Sequence, residues 1–401
     1  MTLPPPIPFE EAQARLIAGV SALPSETIPV GEAIGRYLAV DSRALRTQPA
    51  ADLSAMDGYA VPLGDLAGPW RVVGESAAGH PFSGTLDAGQ AARISTGALM
   101  PQGSGAVLLQ EEAQRSGDEL SLVPPGEPSA RHIRRRGFDF DTGDVLLAAG
   151  TRIGSAQLAL LLSGGHAAVE VGCLPRVAVL DSGDELAADP AGCAPHQIPA
   201  SNGAMLAALA RPLAASVSRI GPVRDTREAL AHALARADGT DVLVTSGGAS
   251  VGDHDLLRPA LEAWGARIAF WRVAIKPGKP LMIARKGAQW IVGLPGNPVS
   301  SFVTAQMFLL PLLRALAGAA APLPVPLRLP LCRSLPATGN RSEFVRARLQ
   351  PEGALPLGEQ DSSALHSLSS ADALIYRPAN CAPASEGAAV PVYRIENGCN
   401  A

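Results

Sequence analysis

The sequence predicts a multidomain protein in which an α/β unit is combined with β units. Between residues 176 and 302, apolar strand runs alternate with amphipathic helix patterns, which is typical of a parallel sheet covered by helices on both faces. On either side, short alternating runs broken by Gly and Pro are typical of all-β units. The length of 401 residues suits two to four such domains.

Composition excludes several classes of protein. A net charge of −4 argues against a nucleic-acid-coating protein. The five cysteines are scattered without a CxxC or Cys/His cluster, so neither a zinc site nor a disulfide framework is expected. The start MTLPPPIPFEEA lacks the pattern of a secretory signal. The longest apolar stretch, 302–318, is interrupted by Gln306, Pro311 and Arg314, which favours a buried helix over a membrane span. We therefore expect a cytoplasmic protein without nucleic-acid or membrane partners.

The first part of the chain reads as one domain with an insertion. FEEAQARLIAGV has a helical pattern, and VGEAIGRYLAVD has helical spacing before it becomes strand-like. After a β-type stretch, a helix (SAQLALLLSGG) and a strand (AAVEV) return. We expect this returning segment to pack on the opening one. The expected domains are therefore 1–46 with 145–175, and an inserted β domain at 47–144.

The expected α/β domain covers residues 176–320, and an Ala/Pro linker separates it from a terminal β domain at 323–396. Three of its strands are followed by acidic loops: SGDEL with Asp184 and Glu185, VRD with Asp225, and SGGASVGDHD with Asp253 and Asp255. The carboxyl ends of parallel strands share one edge of the sheet, so these loops should converge on a ligand. The carboxylates would hold a metal or orient water; helix capping is the alternative.

The loop at 246–255 combines glycines with carboxylates. Gly247 and Gly248 follow a buried strand and would let backbone N–H groups approach a phosphate closely. Asp255 lies near the start of the next helix, where it could share a bridging Mg²⁺ with that phosphate. The alternative is a tight turn with an Asp N-cap.

The stretch IKPGKPLMIARKGAQWIVGLPGNPVSSF, residues 275–302, predicts an anion pocket. Asn297 suits the N-cap and Pro298 the first helical position, so the helix start offers backbone N–H groups and the positive end of its dipole. Lys276 and Lys279 would be delivered to the same place by the preceding turn. Two structural turns with solvated lysines are the alternative.

Other polar motifs permit two interpretations each. Asp57 in SAMDGYAV could form a plain Asx turn or serve a site. Arg346 and Arg348 are expected on one face of a strand. They could be solvated at the edge of the sheet, or they could clamp an anion. The run 134–136 reads as a solvated basic face. No nucleophile motif is present, which favours positioning with electrostatic or metal catalysis.

As an ordered set, SAMDGYAV, ISTGA, HIRRRG, SGDEL, SGGASVGDHD, IKPGKP and GLPGNPVSSF resemble the MoeA family, the molybdopterin molybdenumtransferases, which includes the gephyrin E domain. The resemblance implies an elongated interrupted N-terminal domain, an inserted β unit, a MogA-like three-layer α/β domain and a C-terminal β-barrel-like domain. It implies Mg²⁺-dependent insertion of molybdate into adenylylated molybdopterin with release of AMP. It also implies a homodimer whose subunits share each active site, with MogA-type and molybdoenzyme-maturation proteins as further partners.

The resemblance also assigns roles to residues. Asp57 and Thr96 would come from the partner subunit, and Glu185, Asp225 and Asp255 would form the acidic cluster that handles phosphate and metal. The substrate-binding set, for molybdate and the pterin phosphate, would comprise Gly247, Gly248, Lys276, Lys279, Pro295, Pro298, Ser300, Arg346 and Ser362.

Three positions depart from the family pattern: Ser182 stands for Thr, Ala200 for an acidic residue, and Phe138 for Glu. These departures concern substrate contacts, and the sequence does not separate molybdate from tungstate. A MogA-type adenylyltransferase and a non-catalytic scaffold are the alternative functions. The presence of Asp57, Asp255, Lys276 and Lys279 argues against the scaffold, and the single MogA-like unit within a longer chain argues against the adenylyltransferase.

Overall fold

The computed structural model describes residues 5–247 and 256–395. Helices and strands alternate irregularly along these residues, and a π-helical segment, Ala305–Leu309, joins two of the helices. The elements in chain order are α1 (Phe9–Ala18), β1 (Ser25–Pro29), β2 (Ser42–Arg43), β3 (Leu53–Ser54), β4 (Gly58–Val61), β5 (Trp70–Ser76), β6 (Gln90–Ile94), β7 (Ala106–Leu109), β8 (Ala113–Ser116), β9 (Glu119–Leu122), β10 (Ile133–Arg134), β11 (Val145–Leu147), α2 (Ser155–Ser163), β12 (Ala168–Gly172), β13 (Arg176–Ser182), β14 (Leu186–Ala187), β15 (Ile198–Pro199), α3 (Ser201–Ala210), β16 (Ser216–Val223), α4 (Arg227–Arg236), β17 (Val242–Ser246), α5 (Leu257–Ala263), β18 (Arg267–Trp271), β19 (Ile275–Lys276), β20 (Met282–Lys286), β21 (Gln289–Leu294), α6 (Pro298–Thr304), α7 (Leu310–Leu316), β22 (Leu327–Pro330), β23 (Ser342–Gln350), β24 (Gly353–Pro356), α8 (Leu365–Ser369), β25 (Ala373–Arg377) and β26 (Ala389–Arg394).

The central unit is a three-layer α/β/α sandwich, as predicted. Its sheet has the order β16-β13-β17-β21-β20-β18, in which the first four strands are mutually parallel and β20 runs antiparallel to both of its neighbours, β21 and β18. Successive residues of β13 point to opposite faces: Val177 and Val179 pack in one core, Ala178 and Leu180 in the other. The chain passes from β13 to β16 on one side and then to β17 on the other. A crevice for ligands is therefore expected outside the carboxyl ends of β13 and β17.

The strands before and after the β-rich insertion pair with each other. β1 runs antiparallel to β12, and β2 antiparallel to β11. The helical start expected within 30–41 is wrong, because only the 3-10 turn Val30–Glu32 forms there, whereas the strand-like end is confirmed by isolated bridges of Tyr37 and Leu38. Gly35 has φ +82, which ends helical geometry, and Leu38 makes an isolated bridge to Val171. Main-chain pairing across the domain overrides the local pattern.

Two further sheets belong to the β-rich parts of the chain. The first has the order β7-β4-β6-β5-β9-β8 and carries apolar clusters on both faces. The second has the order β19-β23-β25-β26-β22, with β24 paired to β23. Because β19 comes from the α/β part of the chain, Ile275 and Lys276 tie the lysine turn directly to the C-terminal sheet.

The helical stretch from α6 to α7 lies at the centre of the molecule. It is long and apolar enough to cross a membrane, but 83% of its most apolar window is buried inside the structure, as in a core helix. Phe308 in its π segment contacts Phe9 of α1 edge-on, with ring centroids 5.8 Å apart. Phe9 also contacts Phe344 and Tyr376 of the C-terminal sheet. Five of the sixteen Phe, Tyr and Trp residues, namely Phe9, Phe308, Phe344, Tyr376 and Tyr393, thus cluster where α1, this helix and the C-terminal sheet meet.

Candidate active site

A pocket of about 400 Å³ lies at the predicted edge of the α/β sheet, outside the carboxyl ends of β13 and β17. The start of α3 and the start of α6 form two of its walls, and the segment before α8 closes a third. The lining residues are Asp181, Ser182, Glu185, Leu186, Ile198, Pro199, Ala200, Ser201, Asn202, Ser246, Gly247, Gly296, Asn297, Pro298, Ser363 and Leu365. Two converging helix starts make this a site suited to an anion.

The start of α6 is held by the C-terminal part of the chain. Asn297 occupies the predicted N-cap position, but its side chain makes no capping hydrogen bond. Instead its Nδ2 donates to Ser362 Oγ at 2.7 Å, and the Val299 N–H donates to the Ser362 carbonyl at 3.1 Å. Ser362, a predicted site residue, therefore fixes the helix start that lines the pocket.

Arg346 is buried, which neither interpretation of its sequence context anticipated. Its side chain is 1% exposed, and Nη2 donates to the carbonyls of Glu359 and Asp361, each at 2.9 Å. Its Nε and Nη1 have no hydrogen-bond partner among the residues that the structure describes. Arg346 does not line the pocket; it organises the loop that presents Ser362.

The lysine turn lies beside α6 rather than in the pocket lining. Lys276 Nζ donates to Glu343 Oε1 at 3.2 Å, and Lys279 is exposed. The turn packs tightly because a Cβ on Gly278 (φ +115) would lie 2.5 Å from Thr304 Cγ2. Two other predicted members of the molybdate site, Pro295 and Ser300, are buried near the start of α6, and neither of them lines the pocket either.

Predicted acidic residues meet at the end of β13 and β16. Asp184 Oδ1 accepts a hydrogen bond from the Asp225 N–H at 3.2 Å. Burial raises the pKa of Asp225, and the nearby charges of Asp184 and Glu185 raise it further. Glu185 also lines the pocket. Two other predicted site residues in this region, Gly248 and Asp255, lie outside the described residues.

This acidic cluster has ligand chemistry suited to Mg²⁺. Within 5–247 and 256–395, no group of three potential metal ligands is close enough to form a complete site. However, carboxylate oxygens are the ligands that Mg²⁺ prefers, and a cation would offset the repulsion from Asp184 and Glu185 that adds to burial in raising the pKa of Asp225. Mg²⁺ often binds through one or two carboxylates, with substrate phosphates completing its shell. The chemistry of the residues present therefore fits this ion.

Asp57 and Thr96 are brought together on the inserted β unit, away from the pocket lining. The Thr96 N–H donates to Asp57 Oδ1 at 2.7 Å, and the hydrogen bonds from Thr96 lower the pKa of Asp57. Gly58 is required beside them because its Cβ would lie 1.9 Å from the Leu108 carbonyl oxygen. Phe138 is 74% exposed on the same β-rich part of the chain.

The basic run at 134–136 is less free than its sequence indicates. Arg135 forms a salt bridge with Asp52, and the Arg136 N–H donates to the same carboxylate at 2.8 Å. Both arginine side chains stay more than half exposed. The run is therefore a solvated face, and its contacts with Asp52 hold it against the loop that precedes Asp57.

Asp181 is a charged pocket residue that the sequence analysis did not predict. Asp181 is 2% exposed, and its Oδ1 has no partner among the described residues. The Gly203 N–H at the start of α3 donates to its carboxylate, and Arg219 lies 3.7 Å from Oδ2. Burial raises the pKa of Asp181 to about 6, against the smaller opposing effect of Arg219. The available signal was a single carboxylate inside the apolar run RVAVLD.

Comparison with known proteins identifies the family. The chain matches "MoeA N-terminal region (domain I and II)" over residues 7–165, "Probable molybdopterin binding domain" over 178–315 and "MoeA C-terminal region (domain IV)" over 328–395. The molybdopterin molybdenumtransferase of Bacillus subtilis is 32% identical over 98% of this chain and 95% of its own length. The chain belongs to the MoeA family.

Other MoeA proteins agree in sequence and fold. The molybdopterin molybdenumtransferase of Haemophilus influenzae is 35% identical over 77% of this chain and 78% of its own length. The crystal structure of the molybdopterin biosynthesis moeA protein from Pyrococcus horikoshii OT3 superposes with a TM-score of 0.84. That alignment covers 98% of this chain and all of the other, at 25% identity. The MoeA resemblance of the motifs and the predicted fold class are confirmed.

Proposed function

We propose that this chain is a molybdopterin molybdenumtransferase that inserts molybdate into adenylylated molybdopterin, with Mg²⁺-dependent release of AMP. The observation that carries the proposal is the pocket at the strand ends, where the starts of α3 and α6 converge beside Gly247 and Glu185. Membership of the MoeA family sets the chemical class of the substrate. We also propose a cytoplasmic location and the division into domains at 1–46 with 145–175, 47–144, 176–320 and 323–396.

Two anions would be bound on two sides of the α6 start. The phosphates of the substrate would lie in the pocket, against Gly247 and the backbone N–H groups at the helix starts. Molybdate would lie beside the lysine turn, held by Lys276 and Lys279 with Ser300 nearby. In this arrangement Arg346 acts indirectly, because it fixes the loop that carries Ser362. Binding the two anions side by side orients the pterin for metal capture.

The acidic cluster would supply the hydrolytic part of the reaction. Glu185, Asp225 and Asp255 are the residues proposed to hold Mg²⁺, which when bound neutralises phosphate charge and polarises the phosphoanhydride. Carboxylates of the cluster that do not hold the ion would orient a water molecule and accept its proton. Hydrolysis breaks the phosphoanhydride and frees AMP from the pterin phosphate.

Replacing Asp225 with Asn is expected to reduce AMP release from adenylylated molybdopterin by about 100-fold or more, in line with loss of general-base or metal-binding function. The measurement is AMP formation by the purified protein with molybdate and Mg²⁺. Asp238→Asn is the matched control, because Asp238 forms a surface salt bridge with Lys286 away from the pocket. Equal rates in the two variants would remove Asp225 from the mechanism. The Asp255→Asn variant tests the proposed metal-binding role of Asp255 in the same assay.

A homodimer with shared active sites makes a separate prediction. In each shared site, Asp57 would come from one subunit and Lys279 from the other. Asp57→Ala and Lys279→Ala would therefore each inactivate the enzyme, but through different subunits of the same site. Dissociated and reassociated as an equal mixture, the two inactive variants should recover about a quarter of the wild-type activity, since half of the dimers carry one intact site of two. Cofactor formation is measured by activation of a molybdoenzyme apoprotein. An inactive mixture whose mass confirms mixed dimers would exclude sharing through these residues.

A MogA-type activity is distinguished by its substrates. The purified protein is incubated with molybdopterin and Mg-ATP, and transfer of AMP onto the pterin is measured. We expect none above background, whereas adenylylated molybdopterin should be consumed. Molybdate-dependent cofactor formation in the same preparation also separates the enzyme from a non-catalytic scaffold.

A further inference from the structure

A second pocket of about 760 Å³ lies at the opposite ends of the two helices that build the first. α3 contributes Ser201 and Asn202 to the first pocket and Leu209 to the second. The helical stretch from α6 likewise starts at the first pocket and contributes Arg314 to the second. No lining residue is shared within the part of the chain that the structure describes. α3 alone is about 15 Å long, so one small ligand does not fill both pockets.

The charge of the second pocket is unusual for this chain. Three arginines line it, Arg152, Arg314 and Arg394, and no Asp or Glu appears among its described lining residues. The chain has more acidic than basic residues, so its composition does not explain a pocket lined by arginines alone among charged side chains. Arg152 and Arg394 are exposed and form no salt bridge with any described residue. Arg314 is already engaged on one side, since its Nη1 donates to the Pro322 carbonyl at 3.3 Å.

The walls of the pocket are fixed by main-chain hydrogen bonds. The Leu38 N–H donates to the Thr151 carbonyl at 3.0 Å, and the Gly150 N–H donates to the Leu38 carbonyl at 2.7 Å. The Ala320 N–H donates in turn to the Gly150 carbonyl at 3.2 Å. The loop that carries Arg152 and the linker after α7 are thereby joined. The cavity is preformed, so a ligand need not order the chain around it.

The lining defines the chemical class of the ligand. Guanidinium groups bind phosphate oxygens in bidentate fashion, and the two exposed arginines, Arg152 and Arg394, together favour a multiply charged anion over a simple carboxylate. Leu209, Leu213 and Leu310 provide an apolar wall opposite this charge. The volume falls within the range of small-molecule sites and exceeds the needs of a lone phosphate ion. We propose that this pocket is a second, non-catalytic site for a phosphorylated small organic molecule.

The test uses phenyl phosphate as the probe, with inorganic phosphate and phenol separating the contributions of head group and body. Isothermal titration of the full chain, at constant ionic strength, is expected to give saturable binding of phenyl phosphate and weaker binding of inorganic phosphate. The double variant Arg152→Gln/Arg394→Gln should bind phenyl phosphate at least about tenfold more weakly. Arg328→Gln/Arg333→Gln removes the same charge from two exposed arginines outside the pocket and should leave the affinity unchanged.

Three results would overturn the proposal. The first is an absence of saturable binding by the wild-type chain at millimolar phenyl phosphate. The second is an equal loss of affinity in both double variants, which would indicate general charge attraction. The third is conversion of an oligomer to monomer by Arg152→Gln/Arg394→Gln in sedimentation, which would make this face a contact between subunits. Because AMP release is not the readout, failure here leaves the proposed function intact.

Discussion

Replacing Arg346 with Ala is expected to lower the free energy of unfolding by about 2–5 kcal/mol. The carbonyls of Glu359 and Asp361 lose the Nη2 donor that satisfies them, and the buried volume of the guanidinium is left empty. Because those carbonyls anchor the loop before Ser362, the bonds that hold the α6 start weaken as well. The variant should therefore lose both stability and activity.

Arg348→Ala is the matched control for Arg346→Ala. It lies two residues along the same strand, is exposed, and donates from Nε to the Ser370 carbonyl at 2.9 Å. Its loss should cost about 1 kcal/mol or less. Urea unfolding, followed by the fluorescence of the tryptophans, measures both variants. Equal destabilisation would show that the main-chain contacts of Arg346 do not hold the loop.

Replacing Asp181 with Asn is expected to stabilise the protein at neutral pH and to have no such effect in acid. Burial raises the pKa of Asp181 from 3.8 to about 6, so the folded chain holds this proton more tightly than the unfolded chain. The stabilisation by the proton is complete below pH 3.8 and is lost as the pH rises through 6. Above pH 6 the buried charge costs about 3 kcal/mol, from a shift of about two units.

The pKa shift already includes the opposing attraction of Arg219, so the gain in Asp181→Asn at pH 7.5 should be at most about 3 kcal/mol. Urea unfolding at intervals from pH 4 to 8 tests this. Asp52→Asn is the control with the opposite sign. Burial alone would raise the pKa of Asp52, but hydrogen bonds from Arg136 and Arg135 outweigh it and lower that pKa. A gain for Asp181→Asn that is the same at pH 4 and pH 7.5 would contradict the assigned pKa.

Periodic segments were predicted well because their patterns report one-sided burial. TREALAHALARAD forms α4, and Thr226 caps it by accepting the Ala229 N–H at 3.2 Å. TDVLVTS forms β17, all of whose residues are buried, as expected for a strand covered on both faces. The helix expected at the start of 30–41 does not form, because local spacing shows neither the positive φ of Gly35 nor the main-chain pairing with distant residues. The exact domain bounds and the roles assigned to individual site residues stay predictions.

Sequence alone determined the family, the three-layer α/β unit and the edge at which its acidic loops meet, because these follow from ordered motifs and strand-helix alternation. Only the tertiary structure decided what distant residues do to one another. Arg346 binds the carbonyls of a loop 13 to 15 residues further along, and Asn297 reaches Ser362 instead of capping its own helix. Burial beneath the α3 start raises the pKa of Asp181 to about 6. Burial and partner choice depend on how the domains pack, and local pattern does not encode that packing.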